Sequence, residues 1–219
     1  MIPKILHYIW LGGNKTDLAK KCIDSYHKYL KDYEIKEWNE SNIDISNYDP
    51  FLKECYKEYY DKKKFAFCSD IARLYILKEF GGFYVDADVE FIKPMPECIR
   101  EIPCLCRSNP TQEIGNGYIW GCEKEDGLVT ASIRWFSEHL QKNKRYHGFG
   151  WIFNNILQAF FKKFGYSIGI KDTQDLLGYR VYSADYFCTF NYATKKLEKT
   201  NNSIAIHHFA SSWCRKSGK

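Results

Sequence analysis

The residues with the clearest chemical content lie between positions 70 and 91. Asp86 and Asp88 sit in GGFYVDADVEF (81–91), two carboxylates one alanine apart after an apolar run. Asp70 and Arg73 precede them in KFAFCSDIARLYILKEF (64–80). Side chains alternate faces along an extended strand. Phe83, Val85, Ala87, Val89 and Phe91 then share an apolar face, while Tyr84, Asp86, Asp88 and Glu90 share the other. Like charges on one face repel, and each partly buried carboxylate loses hydration. A divalent cation offsets both costs, and hard oxygen ligands suit Mn²⁺ or Mg²⁺. A solvated face on an edge strand explains the same spacing without a metal, and on D-x-D alone both readings stand.

Positioning those side chains needs a helix and a turn. Over 64–80, Ala66, Asp70, Arg73 and Leu77 fall along one side of a helix, beside a stripe of Phe67, Ile71, Leu74 and the Lys78 stem. Gly81-Gly82 ends it, as glycine does just past a helix. Asp70 and Arg73 stand at i, i+3, where a plain surface ion pair would contribute little. The short glycine turn, however, folds this helix back beside the strand, so that an acid, a base and two further acids converge.

The other segments supply a scaffold. KILHYIWLG (4–12) reads as a strand, and Thr16 caps a helix through DLAKKCIDSYHKYL. YEIKEWN (33–39) reads as a strand and YDPFLKECYKEYY (48–60) as a helix entered through Pro50. Beyond Pro94 and Pro96, NGYIWGC (116–122), RVYSADYFC (180–188) and SIAIHHF (203–209) read as strands. GLVTASIRWFSEHLQ (127–141) and WIFNNILQAFFKKF (151–164) read as helices. The alternation predicts an α/β fold. With no repeat, low-complexity tract or linker, 1–219 is expected to be a single domain.

Composition narrows the partners. A net charge of +5 suits anionic ligands and is far from a nucleic-acid footprint. The nine cysteines include no CxxC, only Cys104 and Cys106 as CxC, which predicts reduced thiols and a cytoplasmic protein. No run approaches the ~18 apolar residues of a membrane span, and the first residues lack a leader's cleavage pattern. Membrane contact is therefore expected to be peripheral at most, with the basic tail CRKSGK reading first as a solvated terminus. The 17 Tyr, 15 Phe and 6 Trp favour an aromatic core over a ring-lined cleft.

The run AFCSDIARLYILKEFGGFYVDADVEF resembles the DXD signature of family 32 glycosyltransferases, which include yeast mannosyltransferases, animal galactosyltransferases and bacterial capsule enzymes. Large clostridial glucosylating toxins share a related core. IPKILHYIWLGG, EIGNGYIWGCEKEDGL (113–128) and IAIHHFASSW (204–213) resemble that family's first strand, middle segment and closing motif, in order. The resemblance implies a GT-A fold, a mostly parallel twisted sheet flanked by helices. A nucleotide-sugar-binding half would cover about 1–93 and an acceptor-side half about 94–219. It implies metal-dependent, retaining transfer of a hexose from a nucleotide sugar, a UDP-sugar first. The acceptor would be a glycan or lipid-linked oligosaccharide hydroxyl in surface polysaccharide assembly.

By the same resemblance Asp88 ligates Mn²⁺ or Mg²⁺ directly, while Asp86 reaches it through water or holds the ribose. Asp70 and Arg73 touch the ribose and the sugar hydroxyls, and Tyr84 supports the nucleotide. Trp10 stacks on the base, with core packing as its alternative, and Asn116 contacts the donor sugar. His207 and His208 point to opposite strand faces. The His-aromatic closing motif selects His208, followed by Phe209, as a third metal ligand, with a satisfied core histidine as its alternative. Ser212 and Trp213 contact the diphosphate. HGFGWIF (147–153) departs from the Gly-Pro element of many members, on the acceptor side.

Two other functions fit parts of the pattern. A phosphohydrolase of the haloacid dehalogenase type also places D-x-D after an apolar strand, but its later GDxxxD-type acidic pair is missing. A non-catalytic nucleotide-sugar- or glycan-binding protein would not need the whole acid set. No GxxxxGK[ST] phosphate loop occurs.

Overall fold

The computed structural model describes residues 1–142 and 151–210. The chain opens with β1 (Ile5–Ile9), α1 (Asp17–Tyr29) and β2 (Glu34–Trp38). The Thr16 side chain caps α1 by accepting from the Ala19 N–H at 3.1 Å. Next comes α2 (Pro50–Asp61), where Asp49 accepts from two backbone N–H groups and Pro50 occupies the first turn. α3 (Phe65–Phe80) runs into β3 (Gly82–Tyr84) through Gly81, whose φ of 62° and N–H bond to the Leu77 carbonyl close the helix. A Cβ at Gly81 would stand 2.6 Å from the Lys124 nitrogen, so no larger residue fits this turn.

β4 (Val89–Phe91), β5 (Cys104–Arg107) and β6 (Ile114–Cys122) follow, then α4 (Gly127–Lys142) and α5 (Trp151–Lys163). The remaining elements are β7 (Gln174–Leu176), β8 (Tyr179–Tyr182), α6 (Ala184–Phe187), β9 (Phe190–Asn191), β10 (Lys196–Leu197) and β11 (Ala205–His207).

Seven strands form the central sheet in the order β2-β1-β3-β6-β5-β8-β7. The pairings β1–β2, β1–β3 and β5–β8 are parallel and the other three antiparallel, so five of seven strands share one direction and β6 and β7 oppose it. Each face buries its own core. α2, α3, α4 and α5 pack on one side, around Leu52, Ile71, Leu74, Leu77, Trp120 and Phe161. On the other side α1, α6 and the β4–β11 pair enclose Leu6, Tyr26, Phe83, Val85, Val89 and Phe91.

The structure corrects one strand expectation in a way that matters for the site. GGFYVDADVEF is not one strand: β3 ends at Tyr84 in the central sheet, and β4 starts at Val89 in a separate ribbon with β11. Between them the Val89 N–H bonds back to the Asp86 carbonyl at 3.0 Å, a turn. The apolar alternation survives the break, because Phe83, Val85, Val89 and Phe91 all enter the same core with Ala87 against it. The acidic set therefore does not line one strand face. RVYSADYFC likewise stays extended only to Tyr182, after which Ser183 opens α6.

Candidate active site

Asp86 and Asp88 occupy the turn at the carboxyl end of β3, the position where open α/β sheets bind ligands. α3 delivers Asp70 and Arg73 to the same place. Both side chains are buried, 8% and 4% exposed, which removes the surface-pair alternative. The Arg73 guanidinium reaches Asp70 Oδ1 at 3.0 Å and Asp86 Oδ1 at 3.2 Å. It also lies over the Tyr84 ring, 4.5 Å from the centroid, and Arg73 Nε donates to the Ser69 carbonyl. The Tyr84 hydroxyl donates to Asp86 Oδ1 at 3.1 Å. One arginine thus bridges two acids, and a planar guanidinium is the group suited to that bridging and stacking. Burial lifts the Asp70 carboxyl to about 6, against the opposing pull of Arg73.

β6 closes the site from the side. Asn116 Nδ2 points at Asp70 Oδ1 from 3.4 Å, which places Asn116 in the cluster. Asn116 N–H donates to Asn154 of α5, and the Gly117 carbonyl accepts from the Asp86 N–H at 2.8 Å.

The third wall comes from β11, and here the structure reverses the choice between the two histidines. His207, not His208, faces the aspartates: its Nε2 lies 3.2 Å from Asp88 Oδ1 and 4.0 Å from Asp86 Oδ2. His208 turns to the opposite face, where its Nε2 meets Glu90 at 2.8 Å beside Lys21. Pairing with β4 sets this, because β11 is antiparallel to it with His207 opposite Val89 and Ile206 opposite Glu90. Which histidine faces inward is thus fixed by register. Phe209 then adopts φ 50°, a left-handed conformation costly for a bulky residue. That turn lays its ring 4.2 Å from His207 and brings the Ala210 N–H to Asp88 Oδ2 at 2.8 Å.

Asp86, Asp88 and His207 each offer one ligand atom, all within 4.8 Å of one another. Two carboxylates and an imidazole are a donor set that Mn²⁺ or Mg²⁺ accepts. The electrostatics fit a cation. Burial works against a charged His207, but Asp88 more than offsets it and raises the imidazole pKa above its ordinary value. Burial likewise opposes the Asp88 charge, yet His207 and the Ala210 N–H bring that carboxyl down to about 2. The pocket already draws a positive charge between its acids, and a divalent ion meets the same demand.

The remaining expected residues are more dispersed. Trp10 follows β1, and its indole N–H donates to the Gly13 carbonyl at 2.8 Å, so the ring is held by its own loop at the sheet's carboxyl edge. Ser212 and Trp213, with the HGFG of 147–150, lie outside the described residues. Gly117, Tyr118, His207 and Phe209 were not picked out by spacing. Their sequence signals are the G-N-G-Y of β6 and the paired histidines of the closing motif. A second, open depression between Tyr75, Lys78, Arg134 and Ser137 shares no residue with the acid cluster. Among the described residues no helix is long and apolar enough to cross a membrane.

Residues 16–105 match the family described as a glycosyltransferase sugar-binding region containing a DXD motif, and Asp86-Ala87-Asp88 falls inside the match. An uncharacterized glycosyltransferase of Acanthamoeba polyphaga mimivirus is 30% identical over 135 residues, 59% of this chain and 47% of that protein. Inositol phosphoceramide mannosyltransferase 1 of Schizosaccharomyces pombe is 26% identical over 125 residues, 54% of this chain and 37% of that protein. The chain thus spans less than half the length of either relative. A solved glycosyltransferase involved in glycosylating the major capsid of PBCV-1 superposes with a TM-score of 0.50 at 12% identity, covering 95% of this chain and 96% of that one. At that identity the likeness speaks for the fold, which is GT-A. The sequence likeness to a glycosyltransferase sugar-binding region is carried by residues 16–105, and the likeness of fold extends over most of the chain.

Proposed function

We propose that this chain transfers a hexose from a nucleotide sugar to a hydroxyl of a glycan or lipid-linked glycan, with retention at the anomeric carbon. One observation carries the reading. Asp86, Asp88 and His207 converge beside the buried Asp70–Arg73 pair at the carboxyl end of β3, and the two aspartates and that pair lie within the segment that matches a sugar-binding DXD region. Asp86, Asp88 and His207 are the residues that would hold Mn²⁺ or Mg²⁺. Bound there, the ion supplies Lewis-acid stabilisation of the charge that grows on a departing nucleoside diphosphate.

The chain's own groups do the rest. Arg73, locked by Asp70, Asp86 and the Tyr84 ring, presents a prepaid positive charge that costs no reorganisation during reaction. Asp70 and Asn116 offer an acceptor and an amide to sugar hydroxyls, and Trp10 a ring to the base. The metal's identity, the UDP-sugar preference, the retaining outcome and a role in surface polysaccharide assembly belong to this proposal and rest on the motif resemblance. The mannosyltransferase relative keeps GDP-mannose among the donors to be tried.

The test is release of free nucleotide from a panel of UDP- and GDP-sugars, with Mn²⁺, with Mg²⁺ and with EDTA. Slow, metal-dependent hydrolysis of one donor is the expected result and names the donor. No turnover of any donor, with no thermal shift from any nucleotide, overturns the reading.

A further inference from the structure

Among the described residues nothing polar holds the His207 ring in place on its far side. A metal-ligating histidine commonly donates its second ring nitrogen to a fixed acceptor, which sets the ring's orientation. Here His207 is 6% exposed, and its Nδ1 is buried with no hydrogen-bond partner among the described residues. The imidazole is instead gripped by two rings. Tyr118 meets it edge-on at 4.8 Å between centroids and Phe209 stands perpendicular to it at 4.2 Å; the two gripping rings are 5.8 Å apart.

Tyr118 reaches this position through an interruption of β6. Paired with β5, the register runs Cys104↔Gly121 and Leu105↔Trp120, then jumps to Cys106↔Gly115. Residues 116–119 therefore stand opposite nothing on β5, an outsized bulge of the kind that re-aims side chains beside active sites. Its residues go to different parts of the cluster: Asn116 to Asp70, Gly117 to Asp86 and Tyr118 to His207. Two glycines make room for this. A Cβ at Gly115 would sit 2.0 Å from the Tyr118 ring, and one at Gly117 would sit 1.9 Å from Asp86 Oδ2.

We infer that the bulge at 116–119 is a positioning element, in which Gly117 seats the Asp86 carboxylate and the Tyr118 ring aims His207, so that together they set the gap between the metal-binding groups. The inference rests on the metal site proposed above and adds which residues shape it. What a side chain at 117 displaces is a carboxylate tip rather than backbone, so a Gly117→Ala chain folds. The carboxylate yields, leaving its contacts with Arg73 and Tyr84.

The experiment measures Mn²⁺ affinity of the full chain by loss of the free-ion electron paramagnetic resonance signal, alongside thermal unfolding. Gly117→Ala and Tyr118→Leu are expected to weaken Mn²⁺ binding by about 10-fold or more, the scale of a lost supporting contact. Tyr118→Phe, which keeps the ring edge, should bind as the wild type does. Gly127→Ala, where an added Cβ meets nothing within 4 Å, is the control and should be unchanged. Wild-type affinity in both Gly117→Ala and Tyr118→Leu overturns the inference and leaves the metal site standing. A wild-type chain that binds no Mn²⁺ overturns both. Should Gly117→Ala lose cooperative unfolding, the Leu and Phe variants at 118 decide the matter by themselves.

Discussion

The Arg73 guanidinium stacks on Tyr84 while its Nη2 sits 3.0 Å from Asp70, so one side chain is fixed by a ring face and a carboxylate together. Arg73→Lys keeps the charge and loses the planar fork, which is not a conservative change at a stacked, bridging position. A hydrogen bond to a charged group is worth about 1.5–3 kcal/mol, so kcat/KM for the donor should fall by about 10-fold or more. Arg73→Ala should also destabilise the fold by about 3–5 kcal/mol, because it strands two acids without their cation. Wild-type kinetics in the lysine variant would remove Arg73 from the donor site.

The two adjacent histidines separate cleanly by test. His207→Ala should abolish metal-dependent turnover. His208→Ala loses only a partly buried contact with Glu90, which keeps Lys21 as a partner, and its stability cost should stay within about 1 kcal/mol. Donor hydrolysis assays on the pair check this, and loss of activity in the His208 variant alone would return the ligand role to the other face.

Asp88→Ala should eliminate the difference between activity with Mn²⁺ and with EDTA while leaving a cooperatively folded chain. Asp88 lies in the turn at the carboxyl end of β3, so its removal loses the contacts with His207 and the Ala210 N–H without opening the core. Full metal-dependent turnover in this variant would contradict the metal assignment.

A further prediction concerns His7, in the core. Its Nδ1 accepts from the Trp38 indole N–H at 3.1 Å, and an indole can only donate, so Nδ1 carries no proton. Nε2 then donates to the Gly81 carbonyl at 2.8 Å. Burial pushes the imidazole down from 6.5 to about 4. The unfolded chain therefore takes up the proton first as pH falls, and stability is lost between 6.5 and 4 while being fully present above 6.5. The His7 contribution should fall by about 2 kcal/mol by pH 5, while Asp70, lifted to about 6, and His207 titrate with the opposite sign. The difference between wild type and His7→Gln in urea unfolding at pH 7.5 and pH 5 isolates it. An equal slope in the variant would assign the effect elsewhere.

Much of the scaffold was legible because its signals are local. Thr16 and Pro50 announce helix starts, and Gly81 announces a helix end. The alternation of Phe83, Val85, Val89 and Phe91 predicted a shared core, which they enter. What alternation could not show is that the chain leaves one sheet for another between Tyr84 and Val89, since both strands bury the same parity of residues. The inward histidine was hidden for a related reason. Neighbouring residues on a strand are told apart only by register with a partner, and β4 is remote in sequence. β5 (CLCR) is too short to carry a period, and the β6 bulge reads in sequence as an ordinary strand with spare glycines.

The pairing of β4 with β11 also orders the birth of the site in time. In a chain made from its first residue onward, the hydrogen bond that seats Asp88 on Ala210 spans 122 residues. While the intervening chain is still being made, the two aspartates stand beside Arg73 without their histidine, so the complete ligand set appears only after β11 docks. Metal uptake by this site would thereby report on the docking of β11, and a chain stalled or cut before Ala205 would carry the acids, the arginine and all seven strands of the central sheet yet lack the third candidate ligand.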